Sequence, residues 1–460
     1  MPGVRHKPAL YVIKGPDEIA PEPVDPCAGQ PVNRLPKIAY GNGIHVYDHA
    51  GKRYIDASGG PAVFCLGHGN TEVNAAIKRQ LDLIAHGYRY TFTSDPLEEL
   101  RERVANACGA DLTEMIFVSS GSEAVEAALK TALEYHTSRG EPTRRRFISR
   151  RRSWHGGTLG ALSVSDFLQR RAPFEGALFE TAFVPAVNAY RPPPGVAPED
   201  VSTDGVARLT AEIERLGAEH IAGFIFEPVV GAAGGVVPAP PGYAEGVRET
   251  CSRYGVLMIA DEVMCGSGRC GTWRALQHDG VVPDIMTVAK GLGGGFIPIA
   301  ATIYRRDIGA ILTAHGGPLS GHTFTGHTAA CAAAVAVQTI IERDGLLDHV
   351  RLAGPRFMQM LAAALDGIAA VGDIRGRGFF VGIEFVADRV SREPFEAKLG
   401  IAARIAAAAA GHGLLVYACT GNVDGRRGDT VILSPPYDTP LAKLEEIAAL
   451  FGRSVRAAVA

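Results

Sequence analysis

The chain predicts an α/β fold: a large domain on a mostly parallel, seven-stranded-type sheet, plus a smaller α+β domain. Three observations carry this. From about residue 95, helical patterns alternate with short apolar runs that show little polar alternation, as strands buried on both faces do. After about residue 340 the pattern changes to a few longer helices and isolated strands. The length of 460 residues suits two or three domains, and a hydrophobic fraction of 47% fills a large core.

The elements follow in order. Residues 1 to about 35 are Pro-rich and irregular and read as an arm. Ile44 to Asp48 and Arg53 to Asp56 alternate apolar and polar about His49-Ala50-Gly51-Lys52, the pattern of a hairpin. Arm and hairpin, residues 1–75, are expected to join the small domain. Residues 76–340 form the large domain. Its helices are Pro96 to Cys108 and Ser122 to Thr137. Its strands are Met115 to Val118, a run near Phe147, Ile221 to Phe226, Val256 to Ala260, Ile285 to Ala289 and Ile299 to Tyr304. The Pro- and Gly-rich residues 191–205 make a surface excursion. Residues 341–460 carry a helix (Arg351 to Ala364), the strand Phe379 to Phe385, an Ala-rich helix (Lys398 to Ala410), strands at Leu414 to Tyr417 and Val431 to Leu433, and a last amphipathic helix.

Composition excludes several functions. A net charge of −3 leaves no electrostatic footprint for nucleic acid or an anionic membrane. The cluster Arg144-Arg145-Arg146 and Arg150-Arg151-Arg152 reads as a solvated rim or subunit contact. The cysteines Cys27, Cys65, Cys108, Cys251, Cys265, Cys270, Cys331 and Cys419 show no C-x-x-C spacing, so neither a metal site nor a disulfide framework is expected. They read as small core residues in a reducing compartment, and no apolar signal core opens the chain, so a cytoplasmic protein is expected. The apolar stretch Thr328 to Ile341 is too short to span a bilayer.

Two charged strand ends stand out. Ile285 to Ala289 runs into Lys290 and a glycine-rich exit, and Val256 to Ala260 ends in Asp261-Glu262. An ammonium at the mouth of an apolar sheet is desolvated, which lowers its pKa and makes it a nucleophile for aldehydes and ketones. A carboxylate on a nearby strand end suits a pyridinium nitrogen. Lysine plus aspartate in this setting suggests pyridoxal phosphate. Ser119-Ser120-Gly121-Ser122-Glu123 joins a strand to a helix N-terminus. It reads either as an anion site for the phosphate or as a simple N-cap. Trp154, before His155-Gly156-Gly157, either lies flat on a cofactor ring or anchors the core. Glu227-Pro228 ends a strand, and its carboxylate either faces the site or caps a turn. The run Gly321 to Thr328 is either a helix-capping loop or a phosphate contact.

Competing motifs fail. A magnesium-binding strand ending in Asp261-Glu262 needs a G-x-x-x-x-G-K-[ST] loop, and the chain has none. Gly266 to Gly271 matches G-x-G-x-x-G, but the two acids at the preceding strand end repel a pyrophosphate and no clear helix follows. These arguments stand against a nucleotide hydrolase and a dinucleotide oxidoreductase.

Taken together, the ordered motifs resemble those of the class III aminotransferases, a fold-type I pyridoxal phosphate family. They are Leu66-Gly67-His68-Gly69, Ser120-Gly121-Ser122-Glu123-Ala124, Trp154-His155-Gly156, Glu227-Pro228, Asp261-Glu262-Val263, Lys290-Gly291 and Gly321 to His327. The resemblance runs from about Tyr40 to Phe451. It implies that Lys290 forms a Schiff base with pyridoxal 5'-phosphate and shuttles the substrate proton, and that Asp261 keeps the ring nitrogen protonated. Val263 and Trp154 would cover the two ring faces, Gly121 and Ser122 would donate to the phosphate, and Glu227 would orient the ring's edge. Thr323 would reach the phosphate of a neighbouring subunit, giving a homodimer, or a tetramer, with shared sites. The implied reaction moves an amino group from an amine or amino acid to a keto acid such as pyruvate or 2-oxoglutarate in two half-reactions. An epimerase, an aminomutase or a decarboxylating relative is the alternative. A scaffold without catalysis is argued against by the intact Lys290, Asp261 and Ser-Gly-Ser turn. The sequence departs from the pattern in the substrate pocket. Ala62 stands where amine-type relatives carry tryptophan, and Tyr417 where many relatives carry an arginine. Tyr88, Arg89 and Arg427 are the remaining candidates for substrate contact, Arg427 being read first as a turn residue beside Arg426.

Overall fold

The computed structural model describes residues 35–109 and 111–459. The arm and Cys27 lie outside the described residues, Leu35 apart. A seven-stranded sheet organises the middle of the chain. Its strands lie in the order Glu114–Val118, Ala300–Tyr304, Ile285–Val288, Leu257–Asp261, Ile221–Phe226, Arg146–Arg150, Thr181–Val184. Ala300–Tyr304 runs antiparallel to both neighbours, and the other pairs are parallel. Adjacent strand residues feed opposite faces. Phe224, Met258 and Met286 enter one apolar cluster, and Ile225, Ile259 and Ile285 enter the other. Helices on both faces bury these residues, which is why the strands read as continuous apolar runs. The carboxyl ends of three neighbouring parallel strands therefore open on one edge, carrying Glu227, Asp261 and Lys290.

The hairpin strands His45–Asp48 and Arg53–Asp56 extend a small sheet that begins at Ile38–Asn42 and is completed by Leu414–Leu415, which pairs in parallel with Ile55–Asp56. A second small sheet is antiparallel, in the order Val371–Arg377, Phe380–Phe385, Asp429–Leu433, Tyr417–Thr420. Helices Leu346–Leu365, Ile401–Gly411 and Leu441–Val459 share one apolar cluster with Ile44, Ile55 and Leu66 of the hairpin region. Helix Thr328–Arg343 serves both cores. Its Ala330, Cys331 and Ala334 enter the large-sheet cluster, and its Val337, Ile340 and Ile341 enter the other.

Several expectations are corrected. The run Leu414 to Tyr417 is two strands in two sheets, broken at Val416, because an apolar run carries no local signal for which partner it joins. Residues 191–205 are not all excursion: helix Val201–Leu216 begins within them, and Arg191 pairs with the buried Glu384 at 2.5 Å. Strand Thr181–Val184 and the early start of helix Leu346–Leu365 were not read from the sequence. The arginine cluster is a solvated rim only in part: Arg145, Arg146 and Arg151 are exposed. Arg150 is buried, and Arg144 donates to the carbonyls of Ala218, Ile221 and Tyr254, tying three chain segments together.

Candidate active site

Each charged strand end is built in a different way. Lys290 leaves its strand with φ 44°, a left-handed conformation rare outside glycine. The N–H groups of Gly293 and Gly294 close the turn on its carbonyl at 3.2 and 2.9 Å. Burial pulls its ammonium down to about 8, against the opposing pull of Asp261 and Glu227. A far larger share of the amine is therefore neutral near physiological pH than at an ordinary lysine.

Asp261 is buried and clamped. Its Oδ1 accepts from the Val263 N–H and the Thr287 hydroxyl, each at 3.0 Å. Its Oδ2 faces His155 Nδ1 at 2.7 Å. A carboxylate has no proton to give, so Nδ1–H donates and fixes the imidazole tautomer. Glu227, the third carboxylate, accepts from the Trp154 N–H at 3.0 Å and the Gly231 N–H at 2.8 Å. Both alternatives left open for it hold: it caps the Gly231 turn and lines the site. Burial raises its pKa. Below it, Arg150 donates to the Glu227 carbonyl and lies over the rings of Phe226 and Tyr243, 5.2 and 5.3 Å from their centroids. Glu262, next to Asp261, points away. It accepts from the N–H groups of Ala275 and Leu276, and burial pushes it up to about 7.

The candidate anion cradle is the start of helix Gly121–Ser138. Ser120 and Glu123 form a reciprocal cap, and the Glu123 carboxylate takes the N–H groups of Ser119 and Ser120. Gly121 and Ser122, the first two helical residues, have no intrahelical acceptor for their N–H groups. Ser122 Oγ accepts from the Gly157 N–H at 3.0 Å, tying the cradle to the loop after Trp154. A Cβ on Gly121 would lie 2.8 Å from Val263 Cγ1, so only glycine lets the helix start this close to the valine.

These groups surround a cavity of about 170 Å³ lined by Gly121, Ser122, Trp154, Asp261, Val263 and Lys290, among others. A second space of about 320 Å³ adjoins it through Gly121, Val263 and Lys290 and reaches Val63 and Ile297. A larger concavity, about 850 Å³, lies elsewhere, against helices Asp95–Cys108 and Thr328–Arg343, and contains none of these groups. An amine nucleophile, a braced carboxylate and a helix-terminus cradle around one small cavity fit pyridoxal phosphate.

The model of the family described as aminotransferase class-III matches residues 30–451. This chain belongs to the class III aminotransferases. It is a fold-type I enzyme that uses pyridoxal phosphate and moves an amino group between a small-molecule donor and a keto acid. An uncharacterized aminotransferase, YodT, of Bacillus subtilis is 38% identical over 92% of this chain and 95% of that protein. An adenosylmethionine-8-amino-7-oxononanoate aminotransferase of Nitratidesulfovibrio vulgaris is 36% identical over 88% of this chain and 74% of its own length. An amine transaminase from an uncultivated Pseudomonas species, solved in a PLP-bound form, superposes with a TM-score of 0.86. It is 32% identical and covers 98% of this chain and 99% of its own. The company of aminotransferases favours amino transfer over the epimerase, aminomutase and decarboxylating alternatives.

For this aminotransferase the structure brings Lys290, Asp261, Gly121, Ser122, Trp154, Glu227 and Val263 around one cavity. It does not bring the others. Thr323 is exposed on the loop before helix Thr328–Arg343. Ala62 is buried with φ 61°, and its neighbour Val63 lines the adjoining space instead. Tyr88 packs on Tyr90, and Arg89 lies over the Tyr90 ring at 4.8 Å beside Gly321. Arg427 pairs with Asp424 at 2.8 Å and Glu393 at 2.7 Å, in keeping with its reading as a turn residue. Sequence reasoning missed His155, Thr287 and Ala232. The His155 signal was present, a histidine directly after Trp154 in a motif already singled out. Its partner, 106 residues away, was not legible.

Proposed function

We propose that Lys290 is the residue that carries the cofactor and moves the substrate proton. The observation that supports this best is the Lys290 amine, lowered to about 8, on a strand beside the one that ends in the braced Asp261. In this reading Asp261 holds a proton on the ring nitrogen, and His155 orients that carboxylate by donating to it. Gly121 and Ser122 hold the phosphate with their N–H groups. Trp154 and Val263 cover the ring and exclude water from it, and Glu227 orients its edge. Pyridoxal phosphate, bound there, supplies an electron sink for the charge left at the donor's Cα. Lys290 takes the proton from that carbon and returns it two bonds away, on the far side of the nitrogen being transferred.

The smallest active unit is proposed to be a homodimer, or a tetramer built from it, with Thr323 serving the partner's phosphate site. An exposed apolar surface beside Thr323 supports this. Tyr88, Tyr90, Phe92, Leu319 and Phe324 are all exposed. Their two segments meet where the Gly87 N–H donates to Thr328 Oγ1 at 3.0 Å and where the His86 and Phe324 rings lie 5.6 Å apart. Seven buried free thiols support a cytoplasmic location. Among the described residues no helix is long and apolar enough to cross a membrane.

The test is a panel of amines and amino acids offered to purified enzyme, following the visible spectrum of the cofactor. Borohydride reduction and peptide mapping should place the cofactor on Lys290. An adduct on another lysine would sink the assignment, and a spectrum that no donor changes would sink amino transfer.

A further inference from the structure

The site contains two buried carboxylates, Asp261 and Glu227. A substrate carboxylate entering here needs a cation to offset their repulsion, and one with free N–H donors. The arginines nearest the site are mostly committed. Arg150 serves the Glu227 carbonyl, Arg151 and Arg152 pair with Asp166, and Arg171 donates to the carbonyls of Leu162, Ser163 and Ser165. Arg170 differs. Its guanidinium lies over the Trp154 ring, 4.9 Å from the centroid, and over Phe167 at 5.4 Å. Among the described residues its guanidinium makes no hydrogen bond or ion pair, and the residue is exposed.

We propose that Arg170, stacked on the Trp154 wall of the cavity, binds the carboxylate of amino-acid donors and keto-acid acceptors. This rests on the aminotransferase reading above and names the substrate class for it. The Trp154 and Phe167 rings stand almost perpendicular, at 89°, so the guanidinium sits in the corner between them, held by two cation–π contacts that use none of its N–H donors, which stay available to a carboxylate. Trp154 lines the same cavity as Lys290, and the charges of Arg170 and Lys290 both act on the buried Cys419 thiol of strand Tyr417–Thr420. Arg427, by contrast, is already engaged by Asp424 and Glu393.

The experiment compares a 2-oxo acid with the aldehyde of the same chain as acceptors, in wild-type holoenzyme and in Arg170→Ala, Arg170→Gln and Arg170→Lys. Variants whose melting temperature matches wild type are scored. Truncation should lower the ratio of kcat/KM for the oxo acid to that for the aldehyde by ~10- to 100-fold, mostly through KM, as expected for a lost charge-assisted hydrogen bond. Arg170→Lys should recover part of it. In parallel, calorimetry should show a short-chain carboxylate losing affinity for the Arg170→Ala holoenzyme by a similar factor. A ratio unchanged within about twofold, or equal losses on both acceptors, would show that Arg170 merely supports Trp154 and would overturn the proposal. The calorimetric arm reads anion binding without turnover. A wild-type enzyme that transfers no amino group to either acceptor therefore counts against the aminotransferase reading, while unchanged carboxylate affinity in Arg170→Ala counts against this one.

Discussion

His155 Nδ1 stands 2.7 Å from Asp261 Oδ2, with both side chains buried. The contact joins the loop after strand Arg146–Arg150 to the end of strand Leu257–Asp261, two positions away in the sheet. It leaves the carboxylate with one oxygen clamped by Val263 and Thr287 and the other oriented by the imidazole. His155→Ala removes a hydrogen bond to a charged group, worth ~1.5–3 kcal/mol. Cofactor affinity or the rate of substrate deprotonation should fall ~10- to 100-fold. Asp261→Asn should cost at least as much. Cofactor titration and single-turnover kinetics measure both, and an unimpaired His155→Ala would show that Asp261 needs no orienting partner.

Lys290 makes stability depend on pH in the cofactor-free protein. Burial lowers its pKa from 10.5 to about 8. Below that folded value both states are protonated, and the buried charge destabilises the fold in full. Between the two values the unfolded chain holds one more proton than the folded one, so stability rises with pH. Lys290→Met, which lacks the group, should therefore be more stable than wild type near neutral pH. The gap in melting temperature should narrow as pH rises through about 8 towards 10.5. A gap that does not change with pH would mean that the amine is not desolvated.

Gly121→Ala tests the cradle by shape alone. The new methyl would sit 2.8 Å from Val263 Cγ1, forcing the helix start or the valine to move. Cofactor affinity should drop by more than about tenfold, since the N–H groups of Gly121 and Ser122 would no longer be in register. Fluorescence titration with pyridoxal phosphate would read it. Wild-type affinity would place the phosphate elsewhere.

Complementation tests the shared site. Lys290→Ala subunits mixed with Thr323→Ala subunits give heterodimers with one intact and one doubly damaged site. Activity should exceed the sum of the two parent homodimers after exchange. A fully active monomer, isolated by sedimentation, would refute the sharing.

The legible parts of this protein are those in which chemistry breaks a local pattern. Lys290 and Asp261 stood out because a charge ends an apolar strand, and Gly121 because a Ser-Gly-Ser turn precedes a helix. Trp154 and Glu227 were readable as positions, though not as orientations. The illegible parts depend on partners distant in sequence. His155 looks like any histidine until the sheet brings Asp261 to it. Arg150 looks solvated because arginine usually is, yet the rings of Phe226 and Tyr243 and the Glu227 carbonyl receive it. The split at Val416 was invisible because both halves of the run favour strand, and only tertiary pairing assigns them to different sheets.

Helix Thr328–Arg343 divides its buried face between the two apolar clusters. Its two halves cannot change register independently, because a continuous backbone hydrogen-bond ladder ties them. The helix is thus a splint. Melting either cluster strips the same rod of part of its support and weakens the hold on the other. Through its sixteen residues the two cores share one fate.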